Sequence, residues 1–351
     1  LEVARVFDPT AKRAIVLKGG GRKAVWLVRA AAGDFVLKRH HYNKKRLRFV
    51  VGLQTYCYER GGPVPAPRAD AAGRLLRQRG GRIFSAQQWI EAAIPPRLAD
   101  ADHLAAYARA LAAFHQAARG YEPPPDSLRR DHGRRLPARL RFVGRRLRRM
   151  ARLAARGCEP YAAARRQLDR ARRRASRLLK RLDAQRYRDW LVQARKEGQI
   201  VHADLGPANA LYRGGCCWII DLDAAGYGPR VYDLAVLLVK ACRSAPQGRL
   251  ADTLHLGLSA YQSISPLGPD ERVYLRWLLA YPWDSGRFWH KRRKYGPRWD
   301  RRALRGELAR DRERARAVRL LLGRNEEPWQ GLPHTIPNLL PLAGPFDPWL
   351  S

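Results

Sequence analysis

Residues 199–209 read Gln-Ile-Val-His-Ala-Asp-Leu-Gly-Pro-Ala-Asn, and residues 216–223 read Cys-Cys-Trp-Ile-Ile-Asp-Leu-Asp. The dipeptide Gly214-Gly215 between them is typical of a two-residue β-hairpin turn, because glycine tolerates the positive φ angles of that turn. Counting outward from the turn pairs Asn209 with Ile220 across the hairpin. The sequence therefore predicts that the two quoted segments meet at the open end of a short hairpin.

Polar side chains converge at that open end. Asn209 and Asp221 lie within one residue of each other in the predicted register, and Asp204 lies in the loop that leads into the hairpin. Amide and carboxylate oxygens suit Mg²⁺ held jointly with phosphates, and a loop carboxylate can accept a proton from a hydroxyl group. With His202 two residues before Asp204, the order and spacing are those of a phosphoryl-transfer site. The alternative is a polar turn whose Asp and Asn only satisfy backbone donors.

The rest of the chain divides into two regions of different periodicity. Residues 1–90 alternate short apolar segments with glycine-rich turns and contain one helical segment, which predicts a β-rich N-terminal lobe. Residues 91–322 place apolar residues at helical spacing and predict a larger helical lobe, with an Arg-rich helical insertion at residues 129–195. Residues 323–351 contain six prolines and predict an extended tail.

The composition excludes several classes of protein. Of the 351 residues, 46% are hydrophobic, which is enough for a buried core. No uncharged apolar run reaches the ~18 residues that a membrane helix needs, and the N-terminus lacks a secretory pattern. Five cysteines without Cys-x-x-Cys spacing argue against a disulfide framework or a zinc site. We therefore expect a reduced, cytoplasmic protein without a membrane span.

The chain is strongly basic, with a formal net charge of +38 from 69 basic and 31 acidic residues. Residues 129–188 contain 22 Arg and Lys180 against four acidic residues, a net +19, and residues 287–319 carry a further +10. One interpretation is a polyanionic partner such as nucleic acid, an anionic coat or a phosphorylated substrate. The other is a coding bias towards Arg. The spread of Arg along the chain and the lack of a nucleic-acid-binding motif favour this second interpretation.

The segment from Ile219 to Ala235 resembles the signature of the aminoglycoside phosphotransferases, which have a protein-kinase-like fold. It reads Ile-Ile-Asp-Leu-Asp-Ala-Ala-Gly-Tyr-Gly-Pro-Arg-Val-Tyr-Asp-Leu-Ala. The resemblance implies an α+β, bilobal protein-kinase-like fold with ATP and Mg²⁺ in the cleft between the lobes. Other stretches are similar to the CotS family of bacterial spore-coat proteins, which implies spore-coat partners: Phe114-His115, Gly120–Pro124, Gly133–Pro137, Tyr281-Pro282, Phe288-Trp289 and Trp299.

Matched position by position, the resemblance implies roles for the acidic residues of these segments. Asp204 matches the catalytic aspartate, while Asn209 and Asp221 match the metal-binding residues. Asp223 is either a second acid at the metal site or a cap of the following turn. Asp233 matches a family position that we take as structural, since it would hold the loop to the next helix. We interpret His202 as structural too, through an orienting hydrogen bond rather than as a proton carrier.

The N-terminal region would supply the nucleotide contacts. Lys38, at the end of an apolar strand, matches the lysine that contacts nucleotide phosphates, although a lysine there is often only a solvated strand end. The loop around Gly20 and Gly21 would cover phosphates through its N–H groups, or would form a plain hairpin turn. Trp89 and Ile90 occupy the hinge where backbone groups would meet the adenine, and core packing explains them as well.

Two positions depart from the kinase pattern, and one histidine pair remains to be placed. In the helix predicted at residues 47–60, Gln54 or Thr55 stands where kinases place the Glu that pairs with the strand lysine. Ala203 replaces the Arg of the protein-kinase His-Arg-Asp motif, which favours a small-molecule kinase. The pair His40-His41 has no other metal ligands nearby in the sequence, and we expect it at the surface.

These observations predict an ATP- and Mg²⁺-dependent phosphotransferase that transfers the γ-phosphoryl group to a hydroxyl acceptor. The acceptor would lie near the Arg-rich insertion, whose charge could attract an anionic compound, although a solvated helix face explains most of its arginines better. The first alternative is a catalytically weak pseudokinase that serves as a structural spore-coat protein. The second is a basic adaptor that binds nucleic acid or another polyanion, which the lack of a nucleic-acid-binding module disfavours. The resemblance to the CotS family implies a second expected location, the spore coat, besides the cytoplasm.

Overall fold

The computed structural model describes residues 1–19, 23–133, 135–182 and 185–323. Gly20 and Gly21 of the predicted phosphate-covering loop lie outside the described residues, as do residues 324–351 of the predicted tail. No helix in the described part of the chain is long and apolar enough to cross a membrane.

An antiparallel sheet forms most of the N-terminal region. Its strands are β1 (Ala11–Lys18), β2 (Ala24–Ala30), β3 (Phe35–His40), β4 (Pro67–Arg68), β5 (Arg77–Arg79) and β6 (Arg82–Gln88). Their order in the sheet is β1-β2-β3-β6-β4, and β5 pairs with β6. The short helix α1 (Glu2–Phe7) packs on one face of the sheet, over side chains that alternate inward along the strands: Val28, Phe35, Leu37, Phe84 and Ala86.

Helix α2 (Lys44–Glu59) lies between β3 and β4 and begins three residues before the predicted start at Leu47. The reason is a local cap: the side chain of Asn43 accepts a hydrogen bond from the Arg46 backbone N–H at 2.9 Å. The helix ends before Gly61, whose φ of 69° suits glycine.

The remaining described residues are mainly helical. The helices are α3 (Ala101–Ala118), α4 (Arg135–Ala155), α5 (Arg165–Leu182), α6 (Gln185–Lys196), α7 (Val231–Ser244), α8 (Leu250–Gln262), α9 (Pro269–Ala280), α10 (Trp283–Tyr295) and α11 (Arg301–Leu322). Helix α3 is the centre of this region and packs against α2, α7, α8 and the hairpin strands. Four short strands form two antiparallel pairs, β7 (Ile200–Val201) with β10 (Gly226–Tyr227) and β8 (Ala210–Arg213) with β9 (Cys216–Ile219).

The Arg-rich insertion is built from amphipathic helices. On α4, apolar side chains at helical spacing are buried: Leu136, Leu140, Val143, Leu147 and Met150. Most arginines of α4 are therefore exposed to solvent, as the solvated-helix interpretation predicts. The small sheet followed by a mainly helical region agrees with the predicted α+β architecture, while the predicted division at residues 90–91 stays a prediction.

Arginine is not confined to the surface of the second basic run. Arg314 on α11 is fully buried, where it donates to the carboxylates of Asp284 and Asp311 and to the backbone oxygens of Leu279 and Tyr281. Burial raises the pKa of Asp284, but the charges of Arg314 and Arg243 outweigh that effect and lower it to about 2. Part of the basic run is therefore an internal ion network that joins α9, α10 and α11.

Candidate functional site

The hairpin that carries the quoted segments forms as predicted. Strand β8 pairs with β9 from Arg213 opposite Cys216 to Ala210 opposite Ile219. Gly214 and Gly215 have φ angles of 54° and 79°, which a two-residue hairpin turn requires. At the open end, the Ile220 N–H donates to the Asn209 carbonyl at 3.1 Å. The register places Asn209 beside Asp221, and this prediction is confirmed.

Asp204 and Asn209 form a direct contact in the loop before the hairpin. The Asn209 side-chain amide donates to the Asp204 backbone oxygen at 2.7 Å and to its carboxylate Oδ2 at 3.2 Å. Asp204 is exposed, so its carboxylate is accessible to a molecule in solution. The amide of Asn209 therefore orients an accessible carboxylate.

Asp221 and Asp223 face a common cation, the ammonium of Lys23. Lys23 Nζ lies 2.8 Å from Asp221 Oδ2 and 2.8 Å from Asp223 Oδ2. Lys23 immediately precedes β2, so this contact joins the N-terminal sheet to the segment after the hairpin. Two carboxylates that converge on one positive charge are also a suitable oxygen donor set for a divalent cation. The residues present therefore fit the metal that the sequence predicts.

The lysines and carboxylates shift each other's pKa values. Burial raises the pKa of Asp221, but the charge of Lys38 and the contact with Lys23 outweigh it and lower the pKa to about 2. Burial lowers the pKa of Lys38, and the charges of Asp221 and Asp223 offset only part of that effect. For Lys23 the same two carboxylates outweigh burial and raise the pKa. Lys23 is therefore the more firmly charged of the two lysines.

Two residues of the site have backbone conformations that are uncommon for residues other than glycine. Ala203 has a φ of 65° and Asp221 a φ of 64°, both in the left-handed region. Such conformations cost on the order of 1–3 kcal/mol each and persist only where surrounding contacts hold them. These two backbone conformations direct the side chains of Asp204 and Asp221. Contacts with surrounding residues must stabilise the strained backbone.

Asp233 supplies those contacts for the Ala203 turn. Its fully buried carboxylate accepts the backbone N–H of His202 at 2.5 Å and that of Ala203 at 3.0 Å. His115 on α3 lies 3.3 Å from the same carboxylate through Nε2 and bonds the Tyr261 hydroxyl through Nδ1. The start of α7 therefore anchors the loop that carries Asp204.

His202 fixes the other end of the loop. Its Nδ1 accepts the Asp204 backbone N–H at 3.2 Å, and its Nε2 lies 2.9 Å from the Ile220 carbonyl. Because a neutral imidazole has one donor and one acceptor nitrogen, these contacts place the proton on Nε2. The ring therefore joins the backbone at Asp204 to the backbone at Ile220, the residue before Asp221. Neither ring nitrogen is left to bond a substrate.

Two residues that sequence reasoning did not place at the site lie next to Asp223. Arg46, buried on α2, donates to the backbone oxygens of Asp223 at 2.9 Å and Ala225 at 2.5 Å. His40 was expected at the surface, and this is wrong: it is buried, with Nε2 2.8 Å from the Ser85 hydroxyl. Burial lowers its pKa to about 4. The available signal was the period-two alternation of β3, which places His40 on the same face as Val36 and Lys38.

The other predicted nucleotide-contact residues lie along the sheet and the hinge. Lys38 is on β3, where it pairs with Val25 and Ser85 of the adjacent strands. Trp89 is half-buried and Ile90 buried, directly after the end of β6. The chain then pairs with the hairpin through two backbone hydrogen bonds between Ile94 and Tyr212, of 3.0 and 2.7 Å. The hinge is thus attached to the hairpin.

The α2 side chains considered as partners for Lys38 have other contacts. Gln54 donates its amide to the Pro65 carbonyl at 2.8 Å, and the Thr55 hydroxyl donates to the Val51 carbonyl at 3.0 Å. The Gln54 amide also donates to Gln87 Oε1 on β6 at 3.4 Å. Neither side chain therefore takes the part of the kinase Glu, and Arg46 is the residue that joins α2 to the site.

A cavity of about 110 Å³ is lined by side chains of α4, α7, α9 and α10, one of which contacts the loop that carries Asp204. Lys240 of α7 lines it and donates to the backbone oxygen of Leu205, the residue after Asp204. Arg139 of α4 also lines it and donates to the Tyr232 hydroxyl. The Asp204 charge partly offsets the burial that lowers the pKa of Lys240. The surroundings of Asp204 on this side are therefore basic.

An exposed, oriented carboxylate and a pair of acidic side chains, at a hairpin between a small sheet and a helical region, are the arrangement expected of kinase-like phosphotransferases. The chain matches the phosphotransferase enzyme family over residues 14–267, which is more than half of its length. It therefore belongs to that family, and the predicted fold and enzyme class are confirmed.

Solved structures share the fold over almost the whole chain. An aminoglycoside phosphotransferase from Alicyclobacillus acidocaldarius is 20% identical with a TM-score of 0.69, covering 91% of this chain and 92% of that one. An amicoumacin kinase in complex with AMP-PNP, Ca²⁺ and Ami is 14% identical with a TM-score of 0.60, covering 92% and 93%. A microcompartment-associated aminopropanol kinase is 17% identical with a TM-score of 0.54, covering 93% and 98%. At these identities the likeness establishes the fold.

Proposed function

We propose that the chain is an ATP- and Mg²⁺-dependent phosphotransferase that transfers the γ-phosphoryl group to a hydroxyl acceptor. The observation that carries the proposal is the arrangement of Asp204, exposed and held by Asn209, at the open end of the hairpin that leads to the carboxylates of Asp221 and Asp223. The fold relative solved with AMP-PNP and Ca²⁺ supports a nucleotide and a divalent cation as the ligands of such a site.

In the proposed reaction Asp204 accepts the proton of the acceptor hydroxyl. The hydroxyl oxygen forms a bond to the γ-phosphorus while the bond from that phosphorus to the β–γ bridging oxygen breaks, which releases ADP. Asn209, Asp221 and Asp223 would hold the divalent cation, which neutralises phosphate charge when bound. Asp233 and His202 keep the loop in the strained conformation that aims Asp204.

The nucleotide would lie between the sheet and the hairpin. Lys38 on β3 feels the charges of Asp221 and Asp223, and it would contact phosphates once a cation has joined those carboxylates. The backbone at Trp89 and Ile90 follows β6 at the hinge and would meet the adenine. The phosphate-covering role of the loop at Gly20 and Gly21 belongs to the same proposal and rests on the sequence.

The acceptor that this site suits carries a negative charge near its hydroxyl group. Lys240 and Arg139 line the cavity beside the Asp204 loop, and Arg243 lines it as well, although its charge is paired with Asp284. Tyr232 and Trp283 add aromatic surface. A cationic acceptor would meet repulsion there, whereas a carboxylate or phosphate would be stabilised.

A second candidate is a pseudokinase that serves as a structural spore-coat protein. The observation that favours it is Lys23, whose ammonium forms ion pairs with both Asp221 and Asp223 and so competes with a divalent cation for these carboxylates. The spore-coat link, with a location in the spore coat or the cytoplasm, rests on the resemblance of the sequence to the CotS family.

The test is ADP release with a panel of hydroxyl acceptors in three charge classes: anionic, neutral and cationic. We expect turnover with anionic acceptors, lost by about 10²–10⁴-fold in Asp204→Asn. Asp126→Asn removes an exposed carboxylate and should leave turnover unchanged. Turnover that survives in Asp204→Asn would contradict the assigned base, and the absence of turnover with every acceptor would favour the pseudokinase.

A further inference from the structure

A second cavity, of about 730 Å³, lies between α4 and α10, apart from the residues placed at the catalytic site. Five arginines of α4, between Arg145 and Arg152, face Arg293 and Lys294 of α10 across it. Among the described residues that line it there is no carboxylate. None of these seven basic side chains forms a salt bridge with a carboxylate in the described ranges.

The lack of compensation distinguishes this cluster from other arginines of the chain. Arg314 and Arg230, which are also close to neighbouring elements, are each paired with buried carboxylates. In the cavity the charges act on one another instead: burial and the charge of Arg293 lower the pKa of Arg146. Like charges gathered in a concave site attract a multiply charged anion, which would relieve their repulsion.

Two aromatic rings hold guanidinium groups in place. The Arg146 guanidinium lies 4.0 Å from the centre of the Phe142 ring, and that of Arg149 lies 5.1 Å from the Trp289 ring. A guanidinium that stacks on a ring keeps its N–H edge available for a second contact. That edge matches two oxygens of a phosphate group, and fixing it in advance reduces the entropy cost of binding.

We propose that the cavity between α4 and α10 binds a small molecule that carries several phosphate groups. Its volume is in the range of pockets that enclose small ligands. The position between two helices is concave, whereas a nucleic-acid duplex requires a basic surface that extends along its backbone. The proposal does not depend on the catalytic activity of the chain, because none of the residues that carry it belongs to the phosphotransferase site.

The experiment is calorimetric titration of inositol hexakisphosphate into the full chain, at fixed ionic strength, with sodium sulfate as a reference anion. The test variant is Arg146→Gln/Arg149→Gln, and a second variant, Arg148→Gln/Arg152→Gln, changes exposed residues of the same cavity. The matched control is Arg166→Gln/Arg170→Gln, which removes two exposed charges from α5. Circular dichroism melts check that each variant folds.

We expect inositol hexakisphosphate to bind the wild type, and either cavity variant to weaken it by about tenfold or more, with less than about a twofold change in the control. Sulfate should not compete at equal ionic strength. Equal losses in all variants would show that only net charge matters and would overturn the proposal. The absence of binding would overturn it, as would a DNA duplex that binds more tightly and depends on the same arginines.

Discussion

The ammonium of Lys23 lies 2.9 and 2.8 Å from the two carboxylate oxygens of Asp221, across 198 residues of chain. Lys23 belongs to the sheet region and Asp221 to the end of the hairpin, so the ion pair connects the two parts of the fold. The same ammonium bonds Asp223. A lysine therefore occupies the position at which the proposed mechanism requires a divalent cation.

Competition between Lys23 and the metal predicts the effect of Lys23→Met. Removal of a positive charge from a half-buried site should raise the affinity for Mg²⁺ without nucleotide by about tenfold, because the carboxylates lose their competing cation. Calorimetric titration with MgCl₂ measures this affinity. The control is Lys18→Met, which removes the same charge from the exposed end of β1. Unchanged or weaker Mg²⁺ binding by Lys23→Met would contradict the assigned cation position.

The buried carboxylate of Asp233 predicts a large loss of stability in Asp233→Asn. In the wild type the two Asp233 oxygens accept the backbone N–H groups of His202 and Ala203. The amide of the variant keeps one acceptor oxygen, but its NH₂ group cannot accept the other N–H. We expect the free energy of unfolding to fall by about 2–4 kcal/mol. Urea titration measures it, with the exposed Asp126→Asn as control, where a surface ion pair is worth ~0–1 kcal/mol. Similar losses in both variants would show that Asp233 is no special anchor.

The parts of the site that the sequence predicts correctly are local. The glycine pair at residues 214–215 sets the hairpin register, and the register alone brings Asn209 beside Asp221. The Lys23 contact depends on how the sheet docks against the hairpin, and no periodicity encodes a separation of 198 residues. The predicted contact of Lys38 with nucleotide phosphates stays a prediction, and Lys23, which the sequence did not indicate, makes the direct ion pairs with both carboxylates.

The pKa of His115 predicts a pH-dependent stability. Burial lowers this pKa below that of an unfolded histidine, about 6.5, and Asp233 offsets only part of the effect. The folded chain therefore favours neutral His115, and its contribution is complete above about pH 6.5 and is lost as the pH falls below that value. The loss should reach up to ~1.4 kcal/mol per pH unit.

Urea titrations between about pH 7.5 and about pH 5.5 measure this slope in the wild type and in His115→Gln. The variant retains a polar side chain but no titrating ring, so its stability should fall less steeply with decreasing pH. Parallel curves for the two proteins would show that His115 does not contribute to the pH dependence.

The internal ion network predicts a large effect of Arg314→Met. Loss of the guanidinium leaves the buried carboxylates of Asp284 and Asp311 without their shared partner. We expect the free energy of unfolding to fall by about 3–5 kcal/mol. The control, Arg316→Met, changes an exposed arginine of the same helix and should have an effect within about 0.5 kcal/mol. An equal, small effect of both substitutions would contradict the structural role of Arg314.

Arg314 and Arg46 also show why the sequence misleads about charge. Arg314 lies in a helix whose other arginines are mostly exposed, and Arg46 directly follows the exposed Lys44 and Lys45. Both arginines are buried because distant residues supply their partners. Composition cannot separate them from their exposed neighbours. The apolar face of α4, in contrast, follows helical spacing and is evident from the sequence.

Calorimetric titration of Mg·ATP into the wild type and into Asp221→Asn tests the proposed nucleotide site most directly. Asp221 is one of two carboxylates that face the shared cation, so its neutralisation removes half of the acidic donor set. We predict micromolar binding to the wild type and binding at least about tenfold weaker to the variant. The absence of binding to the wild type at millimolar ATP would contradict the phosphotransferase proposal and leave the structural pseudokinase as the better explanation.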